Sequence, residues 1–494
     1  MLPKRSRIVA TVLATAAVCL GTGGTVAAQA EKAEKAPAIR ALGSEFQLVV
    51  DDVLLASKAG VVRKIHPCQK LPQPVLASQE PWEQDGFDQR IYVYGTVLRD
   101  GPDGPFRMWY NRNSLVLYAT SRDGLLWERP RLELCEYLGS KRNNLVLPLF
   151  HSPSVVYNPR AESPDQRYVM LGCGRANGPG YYAAHSADGL HWSLYPRNPV
   201  LTSSDTCTLA LDPATGEYLA FHKRTHKHRG QPRRLVYLAV SRDMQQWSQP
   251  AMVMAPDEID DAQVRAEGGR FAQFYNMSAF PYGGQFLGLV THFRYTGPPP
   301  KQGPLQSGDD GPVDVQLVHS RDGRSWSRCE DRSPVIPNGP HAYDAGCILG
   351  VANGPVTAGQ ELWLYYTAIT TTHGGFVPEK KITIGLAKWR RDGFVSLDAG
   401  PAGGVIETVP LHCDGNRLVV NADAGAGELT AAVLDERGRE LPGYGQADCL
   451  PLRADAVRHT IRWKDRERLD TEGPLRLRFY LTNARLFSYA VVAR

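Results

Sequence analysis

The chain has 494 residues, 43% of them apolar and 22% charged, with 47 Gly, 36 Pro and 44 aromatics. That composition excludes a disordered, collagen-like or coiled-coil protein. The formal net charge of +5 is too balanced to argue for a nucleic-acid partner.

The chain opens as an export signal. Lys4, Arg5 and Arg7 precede a small-residue apolar stretch, Ile8 to Leu20, and Ala28-Gln29-Ala30 offers a small-x-small cleavage site. Residues 1–30 therefore read as a secretory signal peptide, too short for a membrane anchor. Cys19 lacks a proper lipobox before it. No other long apolar run follows, so the expectation is a secreted or periplasmic protein without a membrane span. Residues 31–84 read as a charged linker and an N-terminal strand. Within it, Asp51 and Asp52 end a strand expected to close the fold against its last repeat. Eight cysteines remain beyond Cys19, sparse and without metal-ligand spacing, so they read as small buried apolar side chains.

A repeat then sets the architecture. Ser, Asp and Trp recur at relative positions 0, +2 and +6, usually with Gly at +3. The copies are Ser121-Asp123-Gly124-Trp127, Ser186-Asp188-Gly189-Trp192, Ser241-Asp243-Met244-Trp247 and Ser320-Asp322-Gly323-Trp326. Their tryptophans lie 65, 55 and 79 residues apart, the period of a repeat array. Each box follows an alternating, strand-like run and is itself a turn: Ser and Asp bond nearby backbone, and Gly takes positive φ. These aspartates are therefore structural. Two further strands precede each box, and a fifth unit ends in a degenerate box around Gly393-Phe394-Val395-Ser396-Leu397. Five four-stranded units over residues 85–400 make a five-bladed β-propeller. Residues 401–494 carry short strands and Asp/Gly turns, a C-terminal β-sandwich. The fold class is all-β.

The signal, the five blades and the trailing β domain resemble the glycoside hydrolase clan of families 32, 43 and 68. Tyr94-Gly95-Thr96, Phe106-Arg107-Met108-Trp109-Tyr110, Asn276-Met277-Ser278 and Gly393 to Leu397 more closely resemble exported bacterial proteins with a family-32-like N-terminal domain. The resemblance spans nearly the whole chain after the signal. It implies a carbohydrate substrate, a sandwich that supports the propeller, and in some relatives a channel Ca²⁺, for which no ligand loop is visible here. The family 32 signatures Trp-Met-Asn-Asp-Pro-Asn-Gly, Arg-Asp-Pro and Glu-Cys are absent, so fructan cleavage is not implied.

Topology separates structural from chemical positions. Segments leading into first strands share one face with the hairpins between second and third strands. The Ser-Asp-Trp turns occupy the opposite face. On the first face, Asp205 and Asp344 hold equivalent positions in different repeats, and Asp314 opens a third strand nearby. Glu267 leads into the fourth repeat. These four are the candidate catalytic acids, because glycoside hydrolysis needs one carboxyl to protonate the leaving oxygen and another to attack or activate water. Arg90, His151, His222, Arg224, Asn276 and Tyr343 are the candidate substrate contacts. His222, His226 and His228 sit in a basic hairpin with no carboxylate, which opposes a metal, so neither metal nor other cofactor is expected. Loop 295–312 is longer than ordinary connections and reads as functional or disordered. The leading expectation is an exported, monomeric glycoside hydrolase acting on a poly- or oligosaccharide. The alternative is a glycan-binding propeller without catalysis.

Overall fold

The computed structural model describes residues 39–494 apart from 87, 203–204, 301–302, 471–472 and 494. The expected signal peptide lies outside the described residues. The described chain is nearly all β, with a single α-helix, Glu258–Ala266. That helix is not long and apolar enough to cross a membrane.

Five antiparallel units follow in chain order. The first joins Val97–Arg99, Phe106–Arg112, Leu115–Ser121 and Leu145–Leu147. The second joins His151–Tyr157, Tyr168–Gly174, Gly180–Ser186 and Ser193–Leu194. The third runs Cys207–Leu211, Tyr218–His228, Gln231–Ser241 and Ala251–Met254. The fourth runs Phe271–Tyr282, Gln285–Tyr295, Val313–Ser320 and Ser327–Arg328. The fifth takes Cys347–Val351, Glu361–Ile369 and Ile382–Arg390, and its fourth strand is Gln69–Lys70 from near the start of the fold.

The first strands are tied to one another in a closed circuit. Thr96 Oγ1 donates to Val155 O, and Leu209 N donates to Ser154 Oγ. Thr208 Oγ1 donates to Met277 O, and Ser278 Oγ to Val351 O. Asn353 N then returns to Gly95 O. Small hydroxyl residues serve here because first strands crowd together, and a short side chain can satisfy a neighbour's backbone group without a spacer.

The turn boxes fold as their chemistry demands. Asp123 Oδ1 accepts from Leu125 N and Leu126 N, while Ser121 Oγ accepts from Gly124 N. The aspartate pattern recurs at Asp188, Asp243 and Asp322, and Trp192, Trp247 and Trp326 also donate Nε1–H to the carbonyl at +3. Gly124, Gly189 and Gly323 have φ of 74°, 79° and 68°, and Met244 takes 63° in their place.

The chain termini differ from expectation. Asp51 and Asp52 do not close the fifth unit. Asp51 instead binds Arg321 in the fourth turn box, and Asp52 binds Lys58. The closing strand is Gln69–Lys70, because Lys70 can reach inward to Gly339 O and Asp344. Val395–Ala399 is not the fifth unit's last strand either. It pairs with Val61–Ile65 and with Ala484–Val492, burying Val395 and Leu397 there. Two further sheets thus mix early and late segments. One contains Val61–Ile65, Val395–Ala399, Arg417–Asp423, Asp455–Thr460 and Ala484–Val492, and the other Leu55–Ala59, Gly404–Thr408, Glu428–Leu434 and Arg476–Thr482. They pack face to face, with the Phe479 and Tyr489 rings 5.3 Å apart. The cysteines among the described residues are all unpaired, and five of them are buried.

Candidate functional site

Charged and aromatic groups converge where the first strands begin. All five units contribute. Tyr92 and Tyr94 alternate along the segment leading into the first unit and stack at 5.4 Å. The His151 ring stands 5.5 Å from Tyr94, edge to face. Asp205 lies just before Cys207–Leu211 and forms an ion pair with Lys223 of the adjoining strand. The Lys223 ammonium sits 3.8 Å above the Tyr275 ring from the fourth unit. Arg234 lies 5.3 Å from the same ring and binds Asp309 at 2.7 Å. His373 of the fifth unit stands 5.3 Å from Tyr275.

Electrostatics differentiates these groups. The Asp205 side chain keeps 36% of its exposure, whereas Lys223 keeps 8%. Burial by itself would raise the Asp205 carboxyl. The Lys223 ammonium, with His151 and Arg234 behind it, outweighs that and holds it below the usual carboxylate range. Burial depresses Lys223, and Asp205 offsets part of that shift. Burial also lowers His151 and brings His373 down to about 4, so both imidazoles are neutral at pH 7. Burial raises the Tyr92 phenol to about 12. Asp205 is thus an ionised, accessible carboxylate beside cations, neutral imidazoles and protonated phenols. Such a carboxylate accepts hydroxyl hydrogen bonds, takes a proton or attacks carbon. It does not serve as a proton donor.

The other sequence candidates fall into three groups. Arg90 and His151 reach this cluster. Arg90 is clamped by Asp88 and touches Tyr92, which packs on His151. Asn276 is buried beside Tyr275 at a bulge, with both side-chain polar atoms unpartnered.

Asp344 and Tyr343 do not join it. Asp344 is fully buried, bound by Lys70 at 2.6 Å and Tyr366 at 3.0 Å, and Tyr343 donates to Leu71 O. Asp344 shares no partner with Asp205 among the described residues, so the expected pair is not formed. The reason is the closing strand, which brings a lysine to Asp344 from the far end of the chain. His222 and Arg224 also leave the cluster. Strand alternation turns His222 away from Lys223 and against Tyr181, 5.4 Å away, where burial lowers it to about 3. Arg224 binds Thr202 O and lies over Tyr237.

Asp314 and Glu267 meet elsewhere, at a lateral cavity of about 580 Å³ beside the helix, where Arg294 bridges them. A larger cavity, about 970 Å³, opens at the opposite end of the first strands, lined by apolar residues such as Val156, Leu211 and Phe280 and by Arg99, Asp103, Arg160 and Arg391.

Lys223, Arg234 and Asp309 belong to the cluster, although sequence reasoning did not name them as candidates. Asp309 lies in the long 295–312 loop, whose length was the available signal. The loop's described residues are docked: Asp310 accepts from Gly374 N, and Asp309 O accepts from His373 Nδ1–H at 2.9 Å. His226 and His228 point to Tyr237 and Pro256 O, and no group of three or more His, Cys, Asp or Glu among the described residues could hold a metal ion.

No family model and no curated protein matches the chain. Solved structures similar to it include several glycoside hydrolases. A thermostable family-43 glycoside hydrolase is 13% identical over 62% of this chain and 91% of its own, with a TM-score of 0.44. An α-L-arabinofuranosidase from Podospora anserina in complex with cellotriose is 11% identical over 66% and 98%, at 0.41. An N-acetylgalactosamine deacetylase from F. plautii, in complex with blood group B trisaccharide, is 15% identical over 67% and 96%, at 0.43.

Proposed function

We propose that the five units are the blades of a closed β-propeller, that the two large mixed sheets form a β-sandwich, and that the protein is an exported glycoside hydrolase. The reading is supported above all by the Asp205 carboxylate, ionised and accessible among aromatic rings and hydrogen-bonding cations contributed by every blade. Sugar rings suit such a place: their C–H faces stack on Tyr rings, and their hydroxyls satisfy carboxylate, imidazole and guanidinium together. Asp205 takes a proton from an attacking water or attacks the anomeric carbon itself. Asp309, bound by Arg234 at 2.7 Å, is the second carboxylate; it serves as the acid only after substrate binding parts it from Arg234 and it takes a proton from solvent, which it then donates to the departing oxygen. Export rests on the N-terminal pattern.

Activated aryl glycosides separate the two roles, because a nitrophenolate leaves without a proton. On a panel of such glycosides, Asp205→Asn loses about 10³-fold or more in kcat. Asp309→Asn keeps most of its rate there but loses it on natural oligosaccharides. Full activity in D205N would sink the assignment. A second reading, glycan binding without hydrolysis, is favoured by the withdrawal of Asp344 into its ion pair with Lys70. It predicts saccharide binding with no turnover on any substrate in the wild-type protein.

A further inference from the structure

The larger cavity, about 970 Å³, lies at the end of the first strands opposite Asp205, and all five units line it. Its buried part has no polar group left to bond a ligand. Thr96 and Asn353 are the buried polar side chains there. Thr96 Oγ1 donates to Val155 O and accepts from Val155 N. Asn353 Oδ1 accepts from Ser154 Oγ, and its Nδ2 donates to Val155 O. No lining residue carries a buried side-chain polar atom without a partner among the described residues. The walls are otherwise apolar, and Leu98, Val156 and Leu211 are only half-buried, so their side chains are open to a ligand.

The rim is cationic. Arg160 reaches from the second unit to Pro213 O of the third at 2.7 Å, and Arg99 from the first to Thr357 O of the fifth at 3.1 Å. All four residues line the cavity, so these contacts hold both guanidiniums at its edge and leave N–H groups on each unused. The half-buried Arg391 side chain forms no hydrogen bond or ion pair among the described residues. Asp103 is the one acid in the lining, against three arginines. The acids of the adjoining turns are engaged: Asp100 binds Arg107 at 2.6 Å, and Asp212 accepts from Ala214 N and Thr215 Oγ1.

Walls and rim together select a ligand class. A sugar would leave ring hydroxyls without partners against these walls. A cation would meet the excess of arginines. A neutral apolar molecule would leave the spare guanidinium N–H groups unused. An anion with an apolar body suits both: the body leaves water, and the charge accepts from the rim. The volume is within the range of small-molecule sites. We propose that this cavity is a binding site for a small apolar carboxylate, an aromatic or medium-chain acid. Its hydrophobic body lies against Val156, Leu211 and Phe280, and its carboxylate is held at the arginine rim.

Calorimetric titration of the whole protein with hydrocinnamate and octanoate tests this, beside the neutral counterparts hydrocinnamyl alcohol and octanol and the sugar cellobiose. At least one carboxylate binds, and its alcohol binds about fivefold more weakly or not at all. Raising salt from about 0.05 M to about 0.5 M weakens the carboxylate. Arg160→Gln and Arg391→Gln each weaken it about threefold or more. The melting temperature holds in both, because Arg160 is exposed and Arg391 bonds nothing through its side chain. Asp205→Asn leaves carboxylate binding unchanged, since the site lies at the other end of the first strands, and loss of the hydrolase reading would not alter this result. Should one arginine variant fail to fold, the other and the salt series carry the test. Binding by neither carboxylate, equal binding of the alcohols, binding indifferent to both arginine variants, binding lost in D205N, or cellobiose binding that R160Q and R391Q weaken would each overturn the proposal.

Discussion

Met244 is the one residue among the four turn boxes that departs from the pattern, and its surroundings explain how. A side chain at Gly189 would meet the Trp109 ring at 2.7 Å, and one at Gly124 would meet the Tyr365 hydroxyl at 2.7 Å. The third box instead lodges a fully buried Met244 in the apolar layer formed with Leu209, Tyr218 and Ala239. The positive φ costs on the order of 1 kcal/mol, while burying the thioether chain is worth about 2–3 kcal/mol. Met244→Gly is therefore expected to destabilise, by about 1–2 kcal/mol, although it restores the consensus turn. Gly189→Ala should cost at least as much, from strain and collision with Trp109 together. Urea unfolding of both variants checks this, and a stabilised M244G would show the burial argument to be wrong.

The short strand Gln69–Lys70 does more for the fold than its length suggests. Its lysine is 3% exposed and faces Asp344, which is fully buried. Removing one partner of such a pair strands the other charge in a dry interior. Lys70→Met is expected to cost about 3–5 kcal/mol and to loosen the fifth unit, whereas Asp344→Asn keeps a hydrogen-bonding group and costs less. Denaturant melts of the two single variants and the double variant give the coupling. Additive losses would mean that the pair does not anchor the closing strand. Asp344 stays out of the Asp205 cluster for the same reason that the strand holds. Its position beside a first strand was legible, but its cation comes from 274 residues away.

For the molecule as a whole, the buried histidines predict acid sensitivity. Burial lowers His222 to about 3 and His373 to about 4, and also lowers His66, His151 and His319. The unfolded chain binds these protons near the ordinary value of 6.5, before the folded chain does. Stability is therefore fully present above pH 6.5 and falls as pH drops towards 4. Each such group contributes a slope of up to about 1.4 kcal/mol per pH unit. Depressed carboxylates such as Asp205 and Asp322 extend the loss at still lower pH, because they must be protonated as pH falls through their folded values. Melting temperatures measured from pH 8 to pH 4 should be level above about 6.5 and decline below it. A level profile down to pH 4.5 would contradict the burial of these rings.

Sequence alone determined what local chemistry decides. The Ser-Asp-Gly-Trp turns close within a few residues by their own hydrogen bonds, so their spacing was enough to place them and to mark Asp123, Asp188, Asp243 and Asp322 as structural. Alternation was enough to find the strands that make up the repeats. Only the tertiary structure decided which segment completes the fifth unit, because a two-residue edge strand carries no periodicity and Val395–Ala399 looks equally suitable. Only it decided which cation each acid meets. A carboxylate's ionisation is set by the cations and burial around it, and these arrive from distant parts of the chain. Lys223 and Arg234 leave Asp205 ionised and accessible, Lys70 locks Asp344 away, and Arg294 draws Asp314 and Glu267 into a cavity of their own.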